Sequence, residues 1–377
     1  MLMMAVLMSG LSYAQIESSI SGLVFADYYY TYRYHDSAVQ GRNAFNFRRI
    51  YFTFESTINK NIKIRFRLES AHEKFGSATK INPFVKHAYL EWDNLIPHHQ
   101  IYLGLTETNA LKNSEEYWGY RSIEKTIMDL NKISSSADMG IAVKGDITGF
   151  LHHWLTIFNG TGYGSSEVDK YKKVGYALWI TPLKGFILEG YADYEKQDPE
   201  TGTFEYAHDF YHSSGYTTFK GFVGYSHAYG SLGVEAFLRT NMNSGAKNVM
   251  TEFDAVSASY RVTAAEKTDV RRFGISTFLT WITPVPKVKM FVRYDYFDRN
   301  LDDNVVTAFN TDTGILTGGS GDEQSTFFAG LDFIPASNVH LMPNIIYTMY
   351  SQDGKNSDVI ARVTLYYKFN SGKIIVD

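Results

Sequence analysis

Lys63, Arg65 and Arg67 fall at a spacing of two, and Ile62, Ile64, Phe66 and Leu68 fill the alternate positions. A period of two is the mark of a β-strand, because successive side chains leave it on opposite faces. Such a strand carries a row of cations able to draw and hold anions. Two more segments repeat the pattern. In one, Lys289, Arg293 and Asp295 alternate with Val288, Met290, Val292 and Tyr294; in the other, Arg362, Thr364, Tyr366 and Lys368 alternate with Val359, Ala361, Val363, Leu365, Tyr367 and Phe369. Taken alone, these strands also suit the edges of a soluble sandwich.

Other chemistries find less support. Cysteine is absent, which removes disulfides and thiol nucleophiles. No GxSxG nucleophile elbow occurs, so no enzyme is expected. His208, Asp209 and His212, and the pair Asp302 and Asp303, read as solvated loops; no metal site and no cofactor are expected. His98, His99, His152 and His153 are expected to face water at strand ends. A net charge of −4 excludes a strongly cationic nucleic-acid binder.

The elements that must position the cations recur along the whole chain. Over 377 residues, 44% are hydrophobic and 16% aromatic, yet no run approaches the roughly 18 to 20 apolar residues of a membrane helix. Residues 1–14 read as a signal peptide, with an apolar stretch ending in Ser12-Tyr13-Ala14, and 15–377 as one domain. Alternation predicts about sixteen strands, near 19–34, 44–58, 62–70, 84–92, 100–106, 138–145, 152–159, 174–181, 186–195, 216–227, 231–239, 271–282, 288–299, 325–334, 340–350 and 359–369. Tight turns at 59–61, 182–185, 228–230, 283–287 and 335–339 interleave with long connections at 71–83, 107–137, 160–173, 196–215, 240–270 and 300–324. In an antiparallel meander all short turns then lie at one end and all long loops at the other. That sorting predicts an all-β transmembrane barrel with short periplasmic turns and long extracellular loops.

Tryptophan agrees: Trp92, Trp154, Trp179 and Trp281 lie at strand ends near the short turns and are expected to form an interface girdle. Weak alternation leaves the face of Trp179 open. Turning Lys63, Arg65 or Arg67 toward lipid would cost about 2–4 kcal/mol each near the midplane, so the cations are assigned to the interior. The expected pore lining is Lys63, Arg65, Arg67, Lys289, Arg293, Arg362 and Lys368. Glu69, Glu91, Glu189, Asp193, Glu235, Asp295 and Asp332 share that interior and offset much of the charge. The exception is the Lys63–Arg67 strand, with one carboxylate at its end. Sixteen strands leave room for a water-filled channel.

The loop at 107–137 carries Lys112, Arg121 and Lys125 beside Tyr117, Trp118, Ile123, Ile127 and Met128, with a partly helical pattern. So apolar a loop is expected to fold into the barrel and constrict it; an external flap or an oligomer contact is the alternative.

At this point the chain resembles a family. FNFRRIYFTFESTINKNIKIRFRLE (45–69), VKHAYLEW (85–92), YLGLTETNALKNSEEYWGYRSIEKT (102–126), SADMGIAVKG (136–145), IFNGTG (157–162) and FVRYDYFD (291–298) are similar to segments of the phosphate-selective porins O and P. The resemblance implies a sixteen-stranded, trimeric outer-membrane porin with a preference for anions such as phosphate. It departs at the C-terminus, where NSGKIIVD follows Phe369 although such barrels usually finish on the aromatic. Expected partners are small anionic or polar solutes, outer-membrane lipid and lipopolysaccharide, and the barrel-assembly machinery during insertion. The competing reading is a closed outer-membrane barrel acting as a receptor or adhesin through its loops.

Overall fold

The structure, a computed structural model, describes residues 16–71, 81–167, 169–197, 213–255, 258–309, 316–317, 323–372 and 374–376. The signal-peptide segment and His208, Asp209 and His212 lie outside them.

Sixteen antiparallel strands close into one barrel. They are β1 (Ile16–Arg33), β2 (Asn43–Asn59), β3 (Ile62–Ser70), β4 (Phe84–Asp93), β5 (His99–Glu107), β6 (Ala137–Asp146), β7 (Leu151–Phe158) and β8 (Lys173–Ile180). The second half is β9 (Phe186–Lys196), β10 (Gly215–His227), β11 (Gly230–Asp254), β12 (Ser259–Ile282), β13 (Val288–Asp298), β14 (Gln324–Ala336), β15 (Val339–Tyr350) and β16 (Asp358–Asn370). Each strand pairs with its chain neighbours, and β1 also pairs with β16 from Ser21↔Asn370 to Arg33↔Val359, so no edge is left open. Short turns join β2 to β3, β4 to β5 and so on to β14–β15; the other connections leave from the opposite end. The fold is that of a transmembrane barrel.

The outer face is apolar as a membrane requires. Phe52, Phe66, Leu103, Ile157, Leu188, Phe219, Leu279 and Val363 are all well exposed, a band no soluble protein of this size would leave in water.

Three departures from the sequence expectation have physical causes. Residues 240–270, expected as a loop, continue β11 and β12 as a paired ribbon to Asp254↔Ser259. Its residues mix polar side chains with scattered apolar ones such as Met250 and Phe253, so they carry no regular apolar alternation to detect. Trp154 and Trp179, expected in the girdle, point inward and are 4% and 8% exposed. On their strands Leu155 and Ile157, and Tyr176 and Leu178, take the outer face, and small Gly175 and Ala177 leave room inside for the indoles. Trp92 and Trp281 do lie outside, at 36% and 43% exposure. At the C-terminus the chain turns at Gly372 (φ 74°) and Ile374–Val376 pairs with Ile16–Ser18, so the tail extends the closing seam.

Phe66 stands at the middle of β3 and is 40% exposed on the outer face. Phe66→Arg is expected to lower stability by about 2–4 kcal/mol in urea titrations of the protein refolded into liposomes. Unchanged stability would place β3 outside the bilayer.

Candidate functional site

Two β-bulges concentrate positive charge on one sector of the inner wall. Along β2 the register skips Arg48, since Phe25 pairs with Arg49 and Ala26 with Phe47. Along β4 it skips Lys86, since Arg67 pairs with His87 and Leu68 with Val85. A bulge lets two consecutive residues face the same way. Arg48 with Arg49, and Lys86 with His87, therefore all point inward beside Lys63, Arg65 and Arg67 of β3. Strict alternation hides this; the signal available in the sequence was the adjacent pairs Arg48–Arg49 and Lys86–His87, each of which would otherwise push one polar side chain into lipid.

Residues 108–136 run inside the barrel and carry two short helices, α1 (Lys112–Trp118) and α2 (Ile127–Leu130). Gly119, at φ 69°, ends α1. The loop packs on an apolar half of the wall. Trp118 meets Phe278 and Phe291 with ring centroids at 5.5 and 6.0 Å, Tyr120 meets Phe291 at 4.5 Å and Tyr117 meets Phe222 at 5.6 Å. Ile123, Ile127 and Met128 are fully buried. Sequence reasoning missed this inner floor of Phe222, Phe278, Phe291, Phe328 and Met342, because it assigned inward positions to polar groups.

Wall cations hold the loop by its backbone. Arg48 Nη1 donates to the carbonyls of Ser122 (2.8 Å) and Ile123 (2.6 Å), and Arg362 Nη2 donates to Ile123 (2.9 Å). Arg293 Nη1 donates to Lys125 (2.6 Å), Arg239 Nη1 to Ile133 (2.5 Å) and Lys220 Nζ to Ala110 (2.6 Å). Arg293 also pairs with Asp295, and Arg362 lies near Asp27 and Glu124. The Arg293 side chain is 1% exposed and that of Arg362 10%, so these two, expected as pore lining, anchor the loop instead.

The other predicted residues divide. Lys63 Nζ lies 3.1 Å from Glu91 and 2.6 Å from Asp93, and Arg65 pairs with Glu55 (2.5 Å) and Glu107 (3.6 Å). The expected excess of charge on β3 is therefore largely cancelled by neighbouring strands. Arg67 differs: its Nε donates to Thr53 Oγ1 at 2.8 Å and its guanidinium lies 5.1 Å from the Tyr51 ring centre, with no carboxylate in ion-pair range among the described residues. Lys289 stands opposite Asp332, and Lys368 is exposed near the short turns. In the loop, Lys112 reaches Glu107 (3.0 Å) and Glu116 (3.3 Å), Lys125 reaches Asp129 (3.2 Å), and Arg121 pairs with Glu115 and with Asp129 (3.0 Å).

Between the loop and the charged sector lies a small cavity of about 60 Å³, lined among others by Tyr51, Arg67, Lys112 and Arg121 and by the carboxylates Glu107 and Glu115. Two larger cavities of about 320 Å³ each flank it toward the short turns, one at Lys63 and Arg65, the other under Tyr117 and Tyr120 beside Lys289 and His340. Burial opposes the charge on Arg121, but Glu115 and Asp129 outweigh it and hold the guanidinium well above its usual pKa. Burial likewise opposes ionisation of Glu124, yet Arg48 and Arg362 hold its carboxyl below the usual range. For Asp129, burial is again outweighed, here by Arg121 and Lys125, and the pKa is lowered.

No family model and no curated protein matches the chain. Solved structures do. An anion-selective porin from Comamonas acidovorans is 10% identical with a TM-score of 0.59, covering 94% of this chain and 100% of that one. The outer membrane channel DcaP of Acinetobacter baumannii gives 10%, a TM-score of 0.60, and 94% and 97%. OmpT of Vibrio cholerae in its trimer form gives 12%, a TM-score of 0.54, and 94% and 99%. At such identity the likeness establishes the shared fold, which matches outer-membrane proteins of Gram-negative bacteria.

Two predictions follow from the anchoring. Replacing both Arg48 and Arg362 with Met removes charge-assisted bonds worth about 1.5–3 kcal/mol each. Amide exchange at Ile123 and Glu124 is expected to accelerate about tenfold or more with the barrel intact; unchanged exchange would show the loop to be held by packing alone. The lowered pKa values of Glu124 and Asp129 set a pH direction. Their ion pairs are fully present above the ordinary carboxylate pKa of about 4 and fade as pH falls through the lowered folded-state values. Loop exchange, corrected for intrinsic rate, should therefore rise only below about pH 4. A rise near neutrality would assign the restraint to other groups.

Proposed function

We propose that this chain is an outer-membrane porin: a passive diffusion channel for small hydrophilic solutes that prefers anions, phosphate among them. The observation that carries the reading is the gap between the inward loop and the wall of β2–β5, where Arg67, Lys112 and Arg121 converge. Arg67 is the cation there that has no carboxylate in ion-pair range among the described residues, with Glu107 and Glu115 farther off in the same lining, so it is the one assigned to draw a passing anion. Lys63 and Arg65 line the wider space on the short-turn side and contribute less, since Glu91, Asp93 and Glu55 screen them. The loop in this reading is the constriction, and Lys125, tied to Asp129, stiffens it.

The anion-selective character of the Comamonas porin supports the preference by analogy of fold, and the resemblance to phosphate-selective porins supports phosphate as one solute. A homotrimer is proposed on the same footing, given the trimer form of OmpT. Export by residues 1–14, insertion by the barrel-assembly machinery and contact with lipopolysaccharide complete the proposal.

One feature favours a second reading, a receptor barrel. The β11–β12 ribbon stands out at the long-loop end, where Lys247 grips Asp302 at 2.5 Å and Ala246 pairs with Val306. A planar bilayer separates the two. Under a salt gradient the refolded protein is expected to give discrete steps with an anion-biased reversal potential, added phosphate should reduce chloride current, and Arg67→Glu should weaken the bias more than Lys63→Glu. Steps without bias would sink the anion preference, and absence of conductance would favour the receptor.

A further inference from the structure

The cavity of about 320 Å³ beneath the inward loop takes its wall from four successive strands. Lys289 of β13, Asp332 of β14, His340 of β15 and Tyr366 of β16 stand side by side along it. Tyr117 and Tyr120 form its loop side. Its size falls at the lower end of the roughly 300–1,000 Å³ of small-molecule sites, far more room than the gap beside Arg67 offers.

The polar groups of this wall divide into those already occupied and those left over. Asp332 is occupied: its two oxygens lie 2.9 and 3.1 Å from His340 Nδ1, and Oδ2 accepts from the Tyr120 hydroxyl at 3.1 Å. Its side chain is 2% exposed, so no solute reaches it. With that carboxylate turned to His340 and Tyr120, Lys289 faces it in register yet has no ion-pair partner among the described residues. The other carboxylate in the lining, Glu116, pairs with Lys112 at 3.3 Å. A carboxylate only accepts, so His340 Nδ1 carries the hydrogen, and in the neutral ring Nε2 is a bare acceptor. The space is also preformed. Ser231 Oγ donates to the Tyr117 carbonyl at 2.8 Å, the Tyr117 hydroxyl donates to the Gly185 carbonyl at 3.1 Å, and Tyr120 is fixed on Asp332, so the loop side is pinned clear of the wall.

We propose that this cavity binds a monosaccharide carrying one anionic group, a sugar phosphate or a sugar acid. The assignment rests on the porin reading and narrows its solutes to a class. The unpaired ammonium of Lys289 takes the anionic head. His340 Nε2 accepts from a sugar hydroxyl, and the Tyr366 hydroxyl can donate to another or accept from it. The half-buried rings of Tyr117 and Tyr366 offer an apolar face to the C–H side of the sugar. An inorganic anion would use Lys289 and leave most of the space to water. A neutral sugar would leave the ammonium unanswered.

The test is a calorimetric titration of the full chain in detergent micelles with glucose 6-phosphate and with gluconate, against glucose and inorganic phosphate as the separate halves. At least one anionic sugar is expected to bind about tenfold or more tightly than either half, and Lys289→Gln should weaken that binding about tenfold, the effect of one lost charge-assisted hydrogen bond. Tyr366→Leu should weaken the anionic sugar and leave inorganic phosphate unchanged. Lys287→Gln, at an exposed cation in the neighbouring turn, should change neither. Anionic sugars that bind no tighter than the halves, an isotherm unaltered in Lys289→Gln, or an equal loss in Lys287→Gln would each overturn the assignment. Heat-modifiable gel migration checks that every variant remains a barrel. A protein that gives anion-biased steps in a bilayer but fails the titration keeps the porin reading and loses this site. One that binds through Lys289 without conducting keeps the site and loses the porin reading.

Discussion

A chain segment placed inside a barrel has carbonyl oxygens that no sheet ladder can satisfy, and each one left bare in the interior would cost free energy. Here Arg48, Arg239, Arg293, Arg362 and Lys220 reach from the wall to meet them. Arginine suits the task because it offers several donors on a long arm and never loses its charge. That choice has a consequence. A buried guanidinium needs a counter-charge, and Asp27, Glu124 and Asp295 lie beside the anchors to supply it, as Glu189 does for Lys220. Much of the mixed charge inside the barrel thus exists to hold the loop rather than to meet solutes.

The loop is also held sideways. Its tryptophan and tyrosines lie against Phe222, Phe278 and Phe291 of one half of the wall, while the half built from β2 to β5 stays polar. A loop that filled the barrel evenly would close it. One pressed onto an apolar floor leaves a gap on the opposite side, against Arg67 and Tyr51, besides the space under Tyr117 and Tyr120 toward the short turns. The asymmetry of the inner wall therefore keeps the charged sector of β2–β5 uncovered by the loop's aromatic side chains.

The architecture was legible because membrane burial imposes a strict rule on side chains. Where lipid enforces alternation, strand limits from sequence agree closely with the structure, and β3 (Ile62–Ser70) agrees to the residue. Where that rule lapses, reading fails. The ribbon beyond Asn241 has no lipid to sort its faces, and Trp154 turned inward because Leu155 and Ile157 already served the outer surface. The bulges at Arg48 and Lys86 were hidden for the opposite reason. They are the means by which the lipid rule is kept when two polar side chains come in succession. The candidate site was visible in its residue types but not in its pairings, since Arg65 finds Glu55 and Glu107 across strands, a register no single segment contains.

Selectivity in such a lumen is a small remainder after large cancellation. Counting inward arginines and lysines on β3, β13 and β16 suggests a strongly cationic pore, yet Arg293 and Arg362 are turned to the loop and Lys63 and Arg65 to carboxylates. What remains acts at close range, because the gap beside Arg67 is narrow and walled by low-dielectric protein, where a charge without an ion-pair partner has far more effect than it would in open water. The proposed anion preference therefore rests less on how many cations face inward than on which one the fold leaves without an ion-paired carboxylate.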